Sequence, residues 1–134
     1  MVPRKIFNVF LEEVSYIMGD ASGTVLYMVG KKIGKILSSE IKRKDSRLLL
    51  FLSLLEEQNY GVFKIKKQGK EYVITMKKAP RLPGKKIGTH HFVRGILTGF
   101  LELETKQSMY GIETKCRSKG DSYCEFIIKR EVSL

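Results

Sequence analysis

The chain changes its hydrophobic rhythm about halfway along. In the first half, apolar residues recur every three or four positions. Phe7, Phe10, Leu11 and Val14 predict a short helix from about residue 6 to Met18, stopped by Gly19. Val25, Leu26, Met28, Val29, Ile33, Ile36 and Leu37 predict a second helix from near Ser22 to Ile41. Gly30 and Gly34 lie four apart, on one face of that helix, where another backbone can approach closely. The polar run from Lys42 to Asp45 is a break. Asp45 or Ser46 is placed to cap a third helix ending near Glu57.

The period then shortens to two. Val62 to Lys66 alternates apolar and charged residues, and Tyr72 to Met76 is rich in β-branched and aromatic residues. With Gln68-Gly69-Lys70 between them, the two segments predict a hairpin. Pro80, Pro83 and Gly84 mark a loop. Helical spacing returns with Phe92, Ile96, Leu97, Phe100 and Leu103, so a fourth helix is expected from a Thr89 cap to about Lys106. Gly95 and Gly99 repeat the four-residue glycine spacing of the second helix. A second hairpin follows, residues 108 to 116 and 122 to 130, joined by a turn containing Lys119-Gly120-Asp121. Strands grouped in hairpins predict an α+β fold, with helices packed on one face of an antiparallel four-stranded sheet.

The 134 residues suit one domain, expected to span residues 1–134, and 43% hydrophobic with 29% charged residues suits one core. The longest apolar run, Leu48 to Leu55, is too short to span a bilayer. Glu12 and Glu13 interrupt the apolar stretch after Arg4 and Lys5, which makes a poor signal peptide. Both observations predict a cytoplasmic protein. A net charge of +11 raises the possibility of an anionic partner such as nucleic acid. The lysines are spread along the chain without interleaved aromatics, which argues against it.

Candidate chemistry is concentrated in Cys116 and Cys124, which the second hairpin brings near its turn. Two buried thiols, a cross-strand disulfide and a metal site all fit, and the reducing cytosol disfavours the disulfide. A zinc ion needs four donors. The further candidates are Glu113 and the two histidines, His90 and His91, at the start of the fourth helix. Adjacent helical residues point about 100° apart, so at most one histidine can join. Plain alternation sends Glu113 and Cys116 to opposite faces of a strand, so a twist or bulge is required between them. No GxGxxG follows a strand. Gly30-Lys-Lys-Ile-Gly34-Lys35 lacks the Ser or Thr of a phosphate loop and lies inside a helix.

The segment Tyr110-Gly-Ile-Glu-Thr-Lys-Cys-Arg-Ser-Lys-Gly-Asp-Ser-Tyr-Cys-Glu-Phe126 resembles the C-terminal motif of the 4-vinyl reductase domain family. That motif has a Glu, a Cys three residues later, a Gly-Asp-like turn, and a second Cys eight residues after the first. The glycine-paired helix before it and the helical first half also match, so the resemblance covers nearly the whole chain. It implies a fold shared with the small subunits of the TRAPP vesicle-tethering complex, and more distantly with haem-based nitric oxide sensors. It also implies a likeness to sensory domains that respond to phenols and other aromatics, in which zinc is held by an upstream Cys, the Glu and the two Cys. Carried over, the ligands are Glu113, Cys116 and Cys124. The upstream position falls on His90, where those sensors have Cys, with His91 adjacent to it.

The resemblance therefore implies a small-molecule-binding sensor or regulatory domain for an apolar or aromatic ligand, with a structural zinc. Reductase activity is not carried over from the family's name, and no catalytic residue is assigned. The expected pocket lies between helices and sheet, with Phe92, Ile96, Phe100 and Tyr110 as lining. The same aromatic stripe also fits the core side of an amphipathic helix. Glycine-lined helix faces and the resemblance favour a homodimer. The rival reading is a protein-interaction module similar to TRAPP subunits, with no small ligand.

Overall fold

The computed structural model describes residues 4–57, 61–77, 89–116 and 120–131. Its elements are α1 (Arg4–Met18), a 3₁₀ turn (Gly19–Ala21), α2 (Ser22–Glu40), α3 (Arg47–Glu57), β1 (Val62–Gln68), β2 (Glu71–Lys77), α4 (Thr89–Thr105), β3 (Met109–Lys115) and β4 (Cys124–Arg130). The four helices and two hairpins are those the apolar spacing predicts. Thr89 is the first residue of α4 rather than a cap preceding it. Ser46 precedes α3 in the left-handed region, φ 52°, and its carbonyl accepts the Leu50 N–H at 3.0 Å. The expected loop at Pro80, Pro83 and Gly84 lies outside the described residues.

The sheet order is β1-β2-β4-β3, antiparallel throughout. The two hairpins join where β2 pairs with β4, Ile74 opposite Phe126 and Met76 opposite Cys124. On the helix-facing side, Phe63, Ile74, Met76, Phe126 and Ile128 are buried. Phe51 of α3 stacks on Phe100 of α4 with centroids 4.1 Å apart and planes 8° apart. Burying a side chain of that size contributes about 1.5–3 kcal/mol.

The four spaced glycines meet one another. A Cβ on Gly30 would collide with the Phe92 carbonyl, and one on Gly34 with the Ile96 carbonyl. Likewise, Gly95 faces the Tyr27 carbonyl and Gly99 the Lys31 carbonyl. Hence α2 and α4 cross backbone to backbone, the close approach that the spacing predicts. This corrects one use made of the pattern: these glycine faces serve a contact within the chain, so they are not a surface for a second subunit.

Across that crossing, Lys31 and Lys35 each pair with Glu102 at 3.1 Å. Glu102 also accepts the Met109 N–H at 2.8 Å, which ties β3 to α4. No helix among the described residues is long and apolar enough to cross a membrane.

Candidate metal centre

Three elements converge at the turn end of the second hairpin. His90 enters from the first turn of α4, Glu113 and Cys116 from β3 and its exit, and Cys124 from the start of β4. One donor atom from each lies within 4.8 Å of all the others. His90 Nδ1 is 3.1 Å from Cys116 Sγ, 3.7 Å from Cys124 Sγ and 3.2 Å from Glu113 Oε2. Tetrahedral zinc with ordinary bond lengths sets its donors roughly 3.3–3.8 Å apart.

The ladder explains how Glu113 and Cys116 come to share a face. Glu113 is opposite Phe126, an inward position, but Lys115 rather than Thr114 is opposite Glu125. The register shift between Glu113 and Lys115 makes Thr114 an extra residue, a β-bulge. Alternation restarts one residue late, so Cys116 turns inward like Glu113. The sequence demanded such an irregularity without locating it. Thr114 Oγ1 pins the bulge by donating to Glu125 Oε1 at 2.8 Å.

The turn is closed reciprocally. The Cys116 N–H donates to Asp121 Oδ2 at 2.8 Å, and the Asp121 N–H donates to the Cys116 carbonyl at 3.1 Å. The Gly120-Asp121 turn signal therefore also fixes a cysteine, with Gly120 at φ 99°. The two histidines part company. His90 points into the cluster, while His91 lies against Gly23 and within 3.1 Å of the Arg94 guanidinium. Arg94 itself stacks 4.0 Å from the Tyr27 ring, and burial holds its pKa below the usual arginine value. Sequence spacing offered no signal for that Arg94–Tyr27 pair.

The donor set fits a soft divalent cation. Two thiols, an imidazole and a carboxylate are all zinc donor types. Both cysteines are buried, with no disulfide between them. Glu113 Oε2 is a buried oxygen with no hydrogen-bond partner among the described residues, although it lies 3.2 Å from His90 Nδ1. An orphaned buried carboxylate oxygen is costly unless something else satisfies it. Burial pulls the His90 pKa down, but short-range interaction with Cys124 and then Glu113 outweighs it, raising the value from 6.5 to about 10. Cys124 and Glu113 thus favour the protonated form of His90.

The expected pocket residues fall into two groups. Phe92, Ile96 and Phe100 come together in the core with exposures of 3%, 0% and 0%. Tyr110 does not join them. It alternates with buried Met109 and Gly111, is 38% exposed, and lies on the sheet's other face.

Residues 76–130 match the V4R domain family model. The family resemblance read from the 110–126 segment is thereby borne out, and the V4R match ends at the last residue of β4. A curated relative, uncharacterised protein MJ0150 of Methanocaldococcus jannaschii, is 32% identical over 114 residues. The alignment covers 82% of this chain, and the chain spans 66% of that protein's length, just under two thirds. Among solved structures, a vinyl-4-reductase family protein from Methanocaldococcus jannaschii superposes with TM-score 0.71 at 25% identity, covering 98% of this chain and 83% of its own. The phenol-responsive sensory domain of the transcription activator PoxR, with phenol, gives TM-score 0.72 at 11% identity, covering 97% and 76%. A trafficking protein particle complex subunit 3 from Naegleria fowleri, covalently bound to palmitic acid, gives 0.68 at 17%, covering 96% and 95%. The last two likenesses establish a shared fold.

Proposed function

We propose that this chain is a sensor or regulatory domain that binds a small apolar or aromatic molecule and is stapled by a structural zinc on His90, Glu113, Cys116 and Cys124. The observation that carries the zinc is the convergence of four donors from three elements within 4.8 Å. Four protein donors complete a tetrahedral site, leaving no open position for water. The ion would tie the hairpin to α4, and ligand binding would act through the helices. A reducing, cytoplasmic setting would keep both thiols available.

The small-molecule reading is supported by the shared fold with a phenol-responsive domain. One observation favours the rival interaction module: Phe51 and Phe100 stack in the centre, so side chains fill the space between helices and sheet. A homodimer through α1 and α2 is part of the proposal, since Tyr16, Ile17 and Met28 are exposed at 87%, 76% and 60%.

Metal analysis and native mass spectrometry of protein purified under reducing conditions test this reading. One zinc per chain is expected, and stoichiometric absence of zinc sinks the metal assignment. A phenol titration followed by thermal shift tests the ligand class. Unchanged melting at saturating phenol and other simple aromatics favours the interaction module.

A further inference from the structure

The inward-facing rows of the sheet do not end as they run through the core. On β4 the row is Cys124, Phe126, Ile128, all buried, and the next inward position is Arg130. On β1 it is Phe63, Ile65 and then Lys67, which is paired with inward Tyr72. Two strands thus place cations where the pleat would bury an apolar side chain. Lys70, from the β1–β2 turn, is the third cation at this end. Together with Gln107, Tyr72 and Met109 they line a cleft of about 360 Å³ between the end of the sheet and the end of α4. That volume is on the scale of small-molecule sites.

The cleft has a fixed character. Among the described residues its lining contains no carboxylate. Among the described residues, Lys67, Lys70 and Arg130 form no ion pair, and the nearby Glu71 is taken by Lys129 at 3.4 Å. The Lys67 ammonium is held over the Tyr72 ring, 5.5 Å from its centroid. Tyr72 and the buried Met109 supply an apolar wall. The carbonyls at the end of α4 would repel an anion, but some are already occupied. Thr105 Oγ1 donates to the Leu101 carbonyl at 2.7 Å, and the Gln107 N–H to the Glu102 carbonyl at 3.3 Å. Three convergent cations beside an aromatic wall suit a dianion carrying a compact apolar group.

We infer that this cleft is a second ligand site, for a small organic phosphate. It is independent of the metal centre, which lies at the other end of β4, about 20 Å away along the strand.

Phenyl phosphate is the probe, titrated into the full chain at low ionic strength and followed by calorimetry. Saturable one-to-one binding is expected, several-fold tighter than inorganic phosphate because of the Tyr72 and Met109 wall. Lys67→Ala and Arg130→Ala should each weaken it about tenfold, the scale of one lost charge-assisted hydrogen bond. Arg130→Lys should restore part of the loss and guards against misfolding as the cause. Lys32→Ala, an exposed lysine of α2 outside the cleft, should change nothing. Non-saturable binding overturns the proposal. So does equal weakening by Lys32→Ala, which would mean diffuse attraction to a chain of charge +11. Equally tight binding of benzoate overturns the assignment to phosphate.

Discussion

His90 Nδ1 stands 3.1 Å from the sulfur of Cys116, although the two residues are 26 positions apart in the chain. One ring nitrogen from the start of α4 thereby closes a set of donors otherwise supplied by the second hairpin. His91, its neighbour, is turned to Gly23 and Arg94. Substitution should separate them. His90→Ala should lose metal and stability, as should Cys116→Ser and Cys124→Ser, whereas His91→Ala should keep a full complement of zinc. Metal content measured beside the melting temperature checks this, and a His90→Ala protein with full zinc would refute the assignment.

The α2–α4 crossing allows no side chain at its glycines. Gly34→Ala and Gly99→Ala each place a methyl against the backbone of the opposing helix. Overpacking should cost about 1–3 kcal/mol or more, outweighing the gain of about 1 kcal/mol in helix propensity. Gly19→Ala meets nothing in space but sits at φ 56°, so it should cost only the strain of a left-handed residue. Urea denaturation of the three variants would rank them.

Glu102 should contribute acid sensitivity to the fold. Burial raises its pKa, but the Met109 N–H, Lys35 and Lys31 outweigh it, so the folded value lies below the ordinary 4.5. A depressed carboxylate pKa contributes stability that is present above the unfolded value and lost as pH falls through the folded one. Stability should therefore decline below about pH 4.5 through this group. Glu102→Gln should flatten that part of the profile and lower stability at neutral pH by about 1–3 kcal/mol. Melting curves from pH 7 to pH 3 would show it.

Phe100, fully buried and stacked on Phe51, fills the space between helices and sheet where the pocket is expected. Phe100→Ala should cost about 3–5 kcal/mol and leave an apolar cavity beside Phe51. If that interior accepts small aromatics, phenol should raise the melting temperature of the variant more than that of the parent chain. Equal shifts in both would place the phenol elsewhere.

The outer faces of α1 and α2 offer the measure of association. Ile17→Glu and Met28→Glu change exposed positions, so each should leave the fold intact while shifting sedimentation from dimer to monomer. Sedimentation of the parent chain as a monomer at all concentrations would remove the homodimer from the proposal.

Much of this architecture was legible in the chain because helix and strand have different periods. Spacing alone delivered four helices and two hairpins, and the four-residue repeats at Gly30–Gly34 and Gly95–Gly99 signalled close approach. Sequence could not say what those glycines approached, since facing surfaces carry no label for their partner. The exposed position of Tyr110 was missed for a similar reason. It follows from which face of β3 turns to the helices, and that is decided by the neighbours of Gly111, which include Thr98 and Arg94 of α4.

For the candidate metal centre, the sequence by itself supplied the candidate donors and limited the histidines to one of an adjacent pair. It also required an irregularity between Glu113 and Cys116, because a period of two cannot place residues three apart on one face. Only the tertiary structure decided that Thr114 is the extra residue, that His90 is the histidine turned inward, and that all four donors reach one point. Those outcomes depend on strand register and on how α4 lies across the sheet. Both are set by packing between distant segments, as in the apposition of Gly34 and Gly99 to the opposing helix, and local spacing does not encode it.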